Sequence, residues 1–168
     1  MIPLRAVKFA AALTLALAAA ACSNQDAITG TAGLGAGVGG AGSAAPGSTQ
    51  DFAMNVGDRV FFDSDSTDLN AQAVATLDKQ AMWLQRYPRY TFLIEGHADE
   101  RGTREYNFSL SGRRSQVVRD YLASRGIDAG RIRSVSYGKE RPVAVCNDIS
   151  CWSQNRRAVT VLDGGPGA

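Results

Sequence analysis

The stretch "YTFLIEGHADERGTREYNFSLSGRRSQVV", residues 90–118, predicts a buried strand, a polar loop and a long helix in direct succession. The apolar run at its start favours a strand that ends near Gly96. In its second half, residues recur at intervals of three or four, which is the spacing of one helix face. These residues are Thr103, Asn107, Leu110, Arg114, Val118 and, just beyond the stretch, Tyr121. The polar residues between strand and helix are the strongest candidates for a functional site.

Two helices and four strands are expected along the chain. Pro88 ends the first helix and Gly126 caps the second, because proline cannot continue a helix and glycine adopts its C-terminal turn. The order β-α-β-α-β-β predicts an α/β domain of the α+β sandwich type, with both helices packed on one face of a four-stranded sheet. The strands are expected at 58–62, 90–96, 131–138 and 156–162, the helices at 70–87 and 107–126, and an irregular segment at 138–155.

The N-terminus predicts a signal peptide over residues 1–21, with Arg5 and Lys8 before an apolar run. That run is too short to span a bilayer. "LALAAAAC" resembles the bacterial lipobox, with Ala19 where leucine is preferred, and Cys22 is then the lipidated residue. An ordinary signal peptidase site at residues 19–21 is the alternative. By resemblance to lipoprotein sorting, Ser23 after the cysteine implies transfer to the outer membrane.

Residues 22–50 predict a lipidated cysteine followed by a flexible tether, and residues 51–168 a folded domain. The tether is rich in Gly, Ala, Ser and Thr and shows neither helical nor strand periodicity. As a random coil it would span roughly 30 Å. A domain held in this way would move within a layer parallel to the membrane.

The charge balance argues against a nucleic-acid binder. The chain has 18 basic and 16 acidic residues, and removal of Arg5 and Lys8 with the signal leaves equal numbers. Proteins that bind nucleic acid normally carry a basic excess.

Cys146 and Cys151 are expected to form a small disulfide loop, because an exported chain passes through an oxidising compartment. A metal site would need more ligands nearby, and the only histidine, His97, is far away in the sequence. No metal and no cofactor is therefore expected.

The polar loop has three interpretations. Catalysis is disfavoured, because there is no GxSxG or HExxH motif and little chain remains to form a substrate cleft. The charges could simply be solvated, with Thr103 and Glu105 at the start of a helix. The third interpretation is binding of a zwitterion, in which Asp99 meets an ammonium group and Arg114 a carboxylate.

"EGHADERGTREYNFSLSGRRSQVV", together with "VSYGKERP" and "NRRAVTV", resembles the OmpA-like peptidoglycan-binding domain over about residues 57–162. The resemblance implies a mixed four-stranded sheet and a ligand, the meso-diaminopimelate side of the peptidoglycan stem peptide, bound without turnover. It assigns Asp99 to the ligand's ammonium, Arg114 to its carboxylate, and Asn107 and Leu110 to the pocket wall. Asp65 matches the family's acid after the first strand, with Ser64 in place of the usual aromatic residue.

The resemblance also implies a setting: a lipid-anchored outer-membrane protein whose domain faces the periplasm and ties the membrane to the wall. TolB and other Tol-Pal components are the implied partners, with a role in envelope constriction. Two alternatives remain, an OmpA-like anchoring lipoprotein without a Tol role and a periplasmic hydrolase. Asn155, Arg156 and Arg157 are interpreted as structural residues and Trp152 as a core residue.

Overall fold

The computed structural model describes residues 44–163. Its elements follow in chain order. They are α1 (Thr49–Asp51), continued by a π-helical stretch (Phe52–Gly57), β1 (Arg59–Phe61), α2 (Ala71–Arg86), β2 (Thr91–Gly96), α3 (Arg104–Ser124), a 3₁₀ turn (Ala129–Arg131), β3 (Ile132–Ser136), α4 (Ile149–Asn155) and β4 (Arg157–Asp163).

The four strands form one mixed sheet in the order β1-β4-β2-β3. Strand β4 runs antiparallel to both β1 and β2, and β2 runs parallel to β3. Alternate residues of β2, Phe92 and Ile94, are fully buried against Leu77 and Leu84 of α2 and Leu122 of α3. This one-sided burial confirms the predicted α+β architecture, because a sheet with one covered face must alternate apolar and polar residues.

The predicted capping residues Thr103 and Gly126 are confirmed, although α3 begins at Arg104, before the predicted start at residue 107. The side chain of Asn70 accepts a hydrogen bond from the main chain of Ala73 at the start of α2, and Thr103 accepts one from Tyr106 at the start of α3. Each bond satisfies one of the N–H groups that a helix start leaves without a helical partner. Gly126, just beyond α3, has a φ of +89°. This left-handed conformation suits glycine, which has no Cβ.

Two segments differ from the sequence-based expectation. The segment 138–155 was expected to be irregular, but it contains α4, which Asp148 caps at its start. Residues 47–50, within the predicted tether, contact the domain: the carbonyl of Gly47 accepts from the hydroxyl of Tyr90 at 2.7 Å. Neither segment is long enough for a helical spacing of apolar residues to be recognised, and each is held in place by contacts with residues far away in the sequence.

A disulfide joins Cys146, in the loop before α4, to Cys151 within α4, and their Cα atoms are 5.6 Å apart. No helix in the described part of the chain is long and apolar enough to cross a membrane. The predicted signal peptide, Cys22 and the tether as far as residue 43 lie outside the described residues.

Candidate ligand-binding pocket

A pocket of about 220 Å³ opens where the loops after β1 and β2 meet the start of α3. All five residues that the sequence assigned to ligand binding line it, although they come from three separate segments. The lining residues are Ser64, Asp65, Asp99, Arg101, Gly102, Tyr106, Asn107, Leu110, Arg114 and Arg156.

Close packing of α3 on β2 sets the depth of this pocket. A Cβ atom built on Gly96, the last residue of β2, would lie 1.9 Å from the carbonyl oxygen of Ser111. Only glycine therefore allows the backbone of α3 to approach the end of the strand this closely. The approach brings Arg114, one turn after Ser111, beneath the loop that carries Asp99.

Arg114 is fully buried, and its guanidinium donates three hydrogen bonds to main-chain carbonyls. The acceptors are Ser66 at 2.9 Å, His97 at 3.0 Å and Asp63 at 3.1 Å. Burial, helped by the nearby charge of Arg156, lowers the pKa of Arg114 to about 10, so the group remains protonated at neutral pH. A guanidinium has five N–H groups. Two of them remain for other acceptors.

Asp99 is 5 % exposed and is bonded to two arginines. Its Oδ2 lies 2.6 Å from Nη2 of Arg101 and 3.2 Å from Nη1 of Arg156. Burial raises the pKa of Asp99, but the hydrogen bonds from Arg101 and Arg156 outweigh it, and the pKa lies below its usual value. Asp99 is thus ionised at neutral pH and offers a negative charge to the pocket.

Arg156 is a pocket residue that sequence reasoning missed, because "NRR" was interpreted as structural. Its Nε donates to the carbonyl of Phe62 at 3.0 Å while Nη1 contacts Asp99, so it supports the fold and also lines the site. For Asn155 the structure agrees with the structural interpretation. Its side chain bonds the main chain of Val143 and Ala144. A pair of adjacent arginines at the start of a strand was the only signal for Arg156.

Arg101 was also missed, and its contacts extend across the pocket. Its Nη2 donates to the hydroxyl of Ser64 at 2.8 Å, and its guanidinium lies 4.3 Å from the centre of the Trp152 ring. The indole N–H of Trp152 donates to the carboxylate of Glu100. The interpretation of Trp152 as a core residue is therefore wrong: the residue is partly exposed, because α4 has only seven residues and lies at the surface.

The remaining predicted residues form the wall and rim. Leu110 is 5 % exposed, and the amide of Asn107 donates to the carbonyls of Arg101 at 2.6 Å and Thr103 at 3.0 Å. The exposed Asp65 has a φ of +56° and accepts a hydrogen bond from the hydroxyl of Tyr106. The pocket thus has an apolar wall, a buried charged interior and an acidic rim.

His97 lies outside the pocket lining and is 2 % exposed. Burial, followed by the charges of Arg157, Arg141 and Arg59, lowers its pKa to about 4. Its Nε2 lies 3.5 Å from the carboxylate of Glu95, and neither ring nitrogen forms a hydrogen bond within the described residues. Across residues 44–163, no group of three His, Cys, Asp or Glu side chains is arranged to hold a metal ion.

Comparisons with known proteins identify the family of the chain. The OmpA family matches residues 61–156. A peptidoglycan-associated lipoprotein of Agrobacterium fabrum is 63 % identical over 154 residues, which cover 91 % of this chain and 86 % of the relative. Another peptidoglycan-associated lipoprotein, from Haemophilus influenzae, is 40 % identical over 144 residues, which cover 86 % of this chain and 88 % of the relative. Neither name describes an enzyme.

Solved structures show the same fold. The crystal structure of the peptidoglycan-associated lipoprotein from Burkholderia pseudomallei aligns with a TM-score of 0.61 at 42 % identity, covering 63 % of this chain and 90 % of that one. The C-terminal domain of Helicobacter pylori MotB aligns with a TM-score of 0.61 at 20 % identity, covering 65 % and 86 %, and shares the fold alone. The chain therefore belongs to the OmpA family, and its close relatives within that family are peptidoglycan-associated lipoproteins.

Proposed function

We propose that this chain is an outer-membrane lipoprotein, anchored through Cys22, whose domain over residues 51–168 faces the periplasm and binds peptidoglycan non-covalently. The ligand is the meso-diaminopimelate residue of the stem peptide. One observation carries the proposal: an ionised Asp99 and a protonated Arg114 line the same small pocket. The relatives are named peptidoglycan-associated lipoproteins, which supports peptidoglycan as the binding partner.

The pocket chemistry suits the free end of an amino acid. An α-amino acid carries an ammonium and a carboxylate on one carbon, so its site needs one anion and one cation close together. Asp99 supplies the anion, and the two uncommitted N–H groups of Arg114 supply the cation. Leu110 and Asn107 then contact the ligand's aliphatic and amide parts.

The pocket is small, so each site contributes few contacts and its affinity is expected to be modest. Many lipid-anchored copies that face one wall would compensate through avidity. Such an arrangement holds the membrane to the wall and still lets individual contacts dissociate.

The function includes membership of the Tol-Pal system, with TolB as a partner in envelope integrity and constriction. This step rests on the likeness to peptidoglycan-associated lipoproteins. A pull-down of purified TolB with residues 23–168 distinguishes a role in the Tol-Pal system from wall anchoring alone. Capture of TolB supports the Tol-Pal role, and wall binding without TolB capture would leave only the anchoring function.

Co-sedimentation with purified sacculi tests the binding site. The soluble form, residues 23–168, keeps every described residue. It should pellet with diaminopimelate-type sacculi and stay in the supernatant with lysine-type sacculi. Asp99→Asn should reduce the pelleted fraction at least about ten-fold, because the loss of a charged hydrogen-bond partner costs about 1.5–3 kcal/mol.

Asp65→Asn is the cleaner second variant, because asparagine tolerates the left-handed backbone of Asp65. It should weaken binding a few-fold without loss of stability. Asp68→Asn removes the same charge outside the pocket lining and should bind like the wild type. Circular dichroism of each variant separates lost binding from lost fold. Equal binding by the wild type and Asp99→Asn would refute the assignment of the site.

A further inference from the structure

Asp99 already has a bidentate cation partner in the pocket. Nη2 of Arg101 lies 2.6 Å from Oδ2 of Asp99, and Nε lies 3.1 Å from Oδ1. The main-chain N–H of Arg101 also donates to Oδ1, at 3.2 Å. The carboxylate that would receive a ligand's ammonium is therefore occupied by a side chain of the protein.

The two arginines on Asp99 differ in how easily they could leave. The side chain of Arg156 is 7 % exposed and is also held by the carbonyl of Phe62, whereas the side chain of Arg101 is 42 % exposed. Removing a buried cation from its partner is costly, because the cation cannot regain water, whereas the partly exposed guanidinium of Arg101 is rehydrated when it leaves the buried Asp99. Arg101 is therefore the cation that can be displaced.

The balance of charges in the pocket also indicates that Arg101 is the cation that a ligand displaces. With Arg101 in place, three guanidinium groups face two carboxylates, and an incoming ammonium is repelled. Without it, Arg114 and Arg156 face Asp65 and Asp99, which balances a zwitterion. Binding of an ammonium at Asp99 thus favours the departure of Arg101.

Trp152 and Ser64 hold Arg101 in the occupied position. The guanidinium lies over the Trp152 ring at 4.3 Å and donates to Ser64 at 2.8 Å. A cation over an indole face is worth about 0.5–1 kcal/mol at an exposed site. Trp152 therefore loses a cation contact whenever Arg101 leaves Asp99.

We propose that Arg101 is an internal competitor of the ligand: it occupies the ammonium position on Asp99 in the free pocket and leaves both Asp99 and Trp152 when ligand binds. The proposal rests on the function proposed above and adds its specificity element. A ligand that lacks a free ammonium cannot replace Arg101, so the pocket discriminates against neutral or acylated amines.

Calorimetry with the tripeptide L-Ala-γ-D-Glu-meso-diaminopimelate tests the proposal on residues 23–168. Arg101→Gln removes the competing charge and should bind about five-fold more tightly, which corresponds to about 1 kcal/mol. Arg104→Gln is the matched control, because Arg104 pairs with Glu140 and its side chain is 73 % exposed. It removes the same charge nearby and should bind like the wild type.

Tryptophan fluorescence gives a second readout. The tripeptide should change the emission of the wild type and leave that of Arg101→Gln unchanged, because the cation over Trp152 is absent from the start. Trp152→Phe keeps an aromatic ring but should lose the response, which separates the signal from that of the core residue Trp83. The tripeptide with an acetylated diaminopimelate amine should produce no response in any variant.

The outcomes are distinct. Two results together support the proposal that Arg101 competes with the ligand. Arg101→Gln binds the tripeptide more tightly than the wild type while Arg104→Gln does not, and fluorescence responds only in proteins that contain both Arg101 and Trp152. Binding by the wild type with equal or weaker binding by Arg101→Gln overturns it and leaves the proposed function intact. No binding of the tripeptide or of diaminopimelate-type sacculi by the folded wild type overturns the proposed function, and the competitor with it.

Discussion

Arg114 donates a hydrogen bond of 3.0 Å to the main-chain carbonyl of His97, which ties α3 to the loop after β2. Arg114→Ala leaves this carbonyl and two others without their donor and removes a fully buried side chain. We expect a loss of about 3 kcal/mol in the free energy of unfolding, measured by urea titration. Arg113→Ala, at the exposed neighbour, should stay within about 0.5 kcal/mol of the wild type. Equal stability of both variants would show that Arg114 has no structural role.

The close approach of the Ser111 carbonyl to Gly96 leads to a second prediction. Gly96→Ala places a Cβ 1.9 Å from a main-chain oxygen of α3, so helix and strand must separate. We expect a loss of more than about 2 kcal/mol in the free energy of unfolding. At Gly112, one residue after Ser111, the nearest atom to a new Cβ is 3.7 Å away. Gly112→Ala should therefore be neutral or gain up to about 1 kcal/mol in urea denaturation. If Gly112→Ala were less stable than Gly96→Ala, the close packing of α3 on Gly96 would be contradicted.

Phe52 connects the N-terminal segment to the core. It is 1 % exposed and lies 4.9 Å from the ring of Trp83, measured between centroids. Phe52→Ala should lower the free energy of unfolding by about 3–4 kcal/mol, because a buried aromatic ring is lost. Met54→Ala, at a 63 % exposed position two residues later, should change it by less than about 0.5 kcal/mol. Thermal unfolding of both variants checks the prediction, and a stable Phe52→Ala protein would place this segment outside the folding unit.

His97 makes stability depend on pH. Its pKa is lowered to about 4 in the folded protein, mainly by burial and then by Arg157, Arg141 and Arg59, against 6.5 for the unperturbed group. Between these values the unfolded chain binds the proton more readily. The contribution of His97 to the free energy of unfolding is therefore fully present above about pH 6.5. It decreases by up to about 3 kcal/mol as the pH falls toward 4. Pairing of the protonated ring with Glu95, 3.5 Å away, would reduce this loss.

Urea titrations of the wild type and His97→Gln at pH 7, 6, 5 and 4 measure this contribution. The difference in unfolding free energy between the two proteins should shrink as the pH falls, because glutamine does not titrate. A difference that is constant across this range would mean that His97 has the same pKa in the folded and unfolded chain.

Much of the fold could be predicted from local patterns. The alternation in β2 and the helical spacing in α3 each repeat often enough to be recognised, and Thr103 and Gly126 mark the ends of α3 by chemistry that acts within a few residues. The N-terminal segment and α4 were missed because they are short and their contacts are distant. Gly47 bonds to Tyr90, 43 residues away, and Asn155 bonds to Val143, 12 residues away.

The sequence by itself determined four of the side chains that line the pocket, Asp99, Asn107, Leu110 and Arg114, because they lie on one loop and one helix face. Only the tertiary structure decided which charges meet. Arg156 reaches Asp99 across 57 positions because β4 lies beside β2 in the sheet. Arg101 and Arg104 look alike in sequence, yet one bonds the buried Asp99 and the other the exposed Glu140. Electrostatic interaction depends on distance and burial, and both are set by packing between elements far apart in the chain.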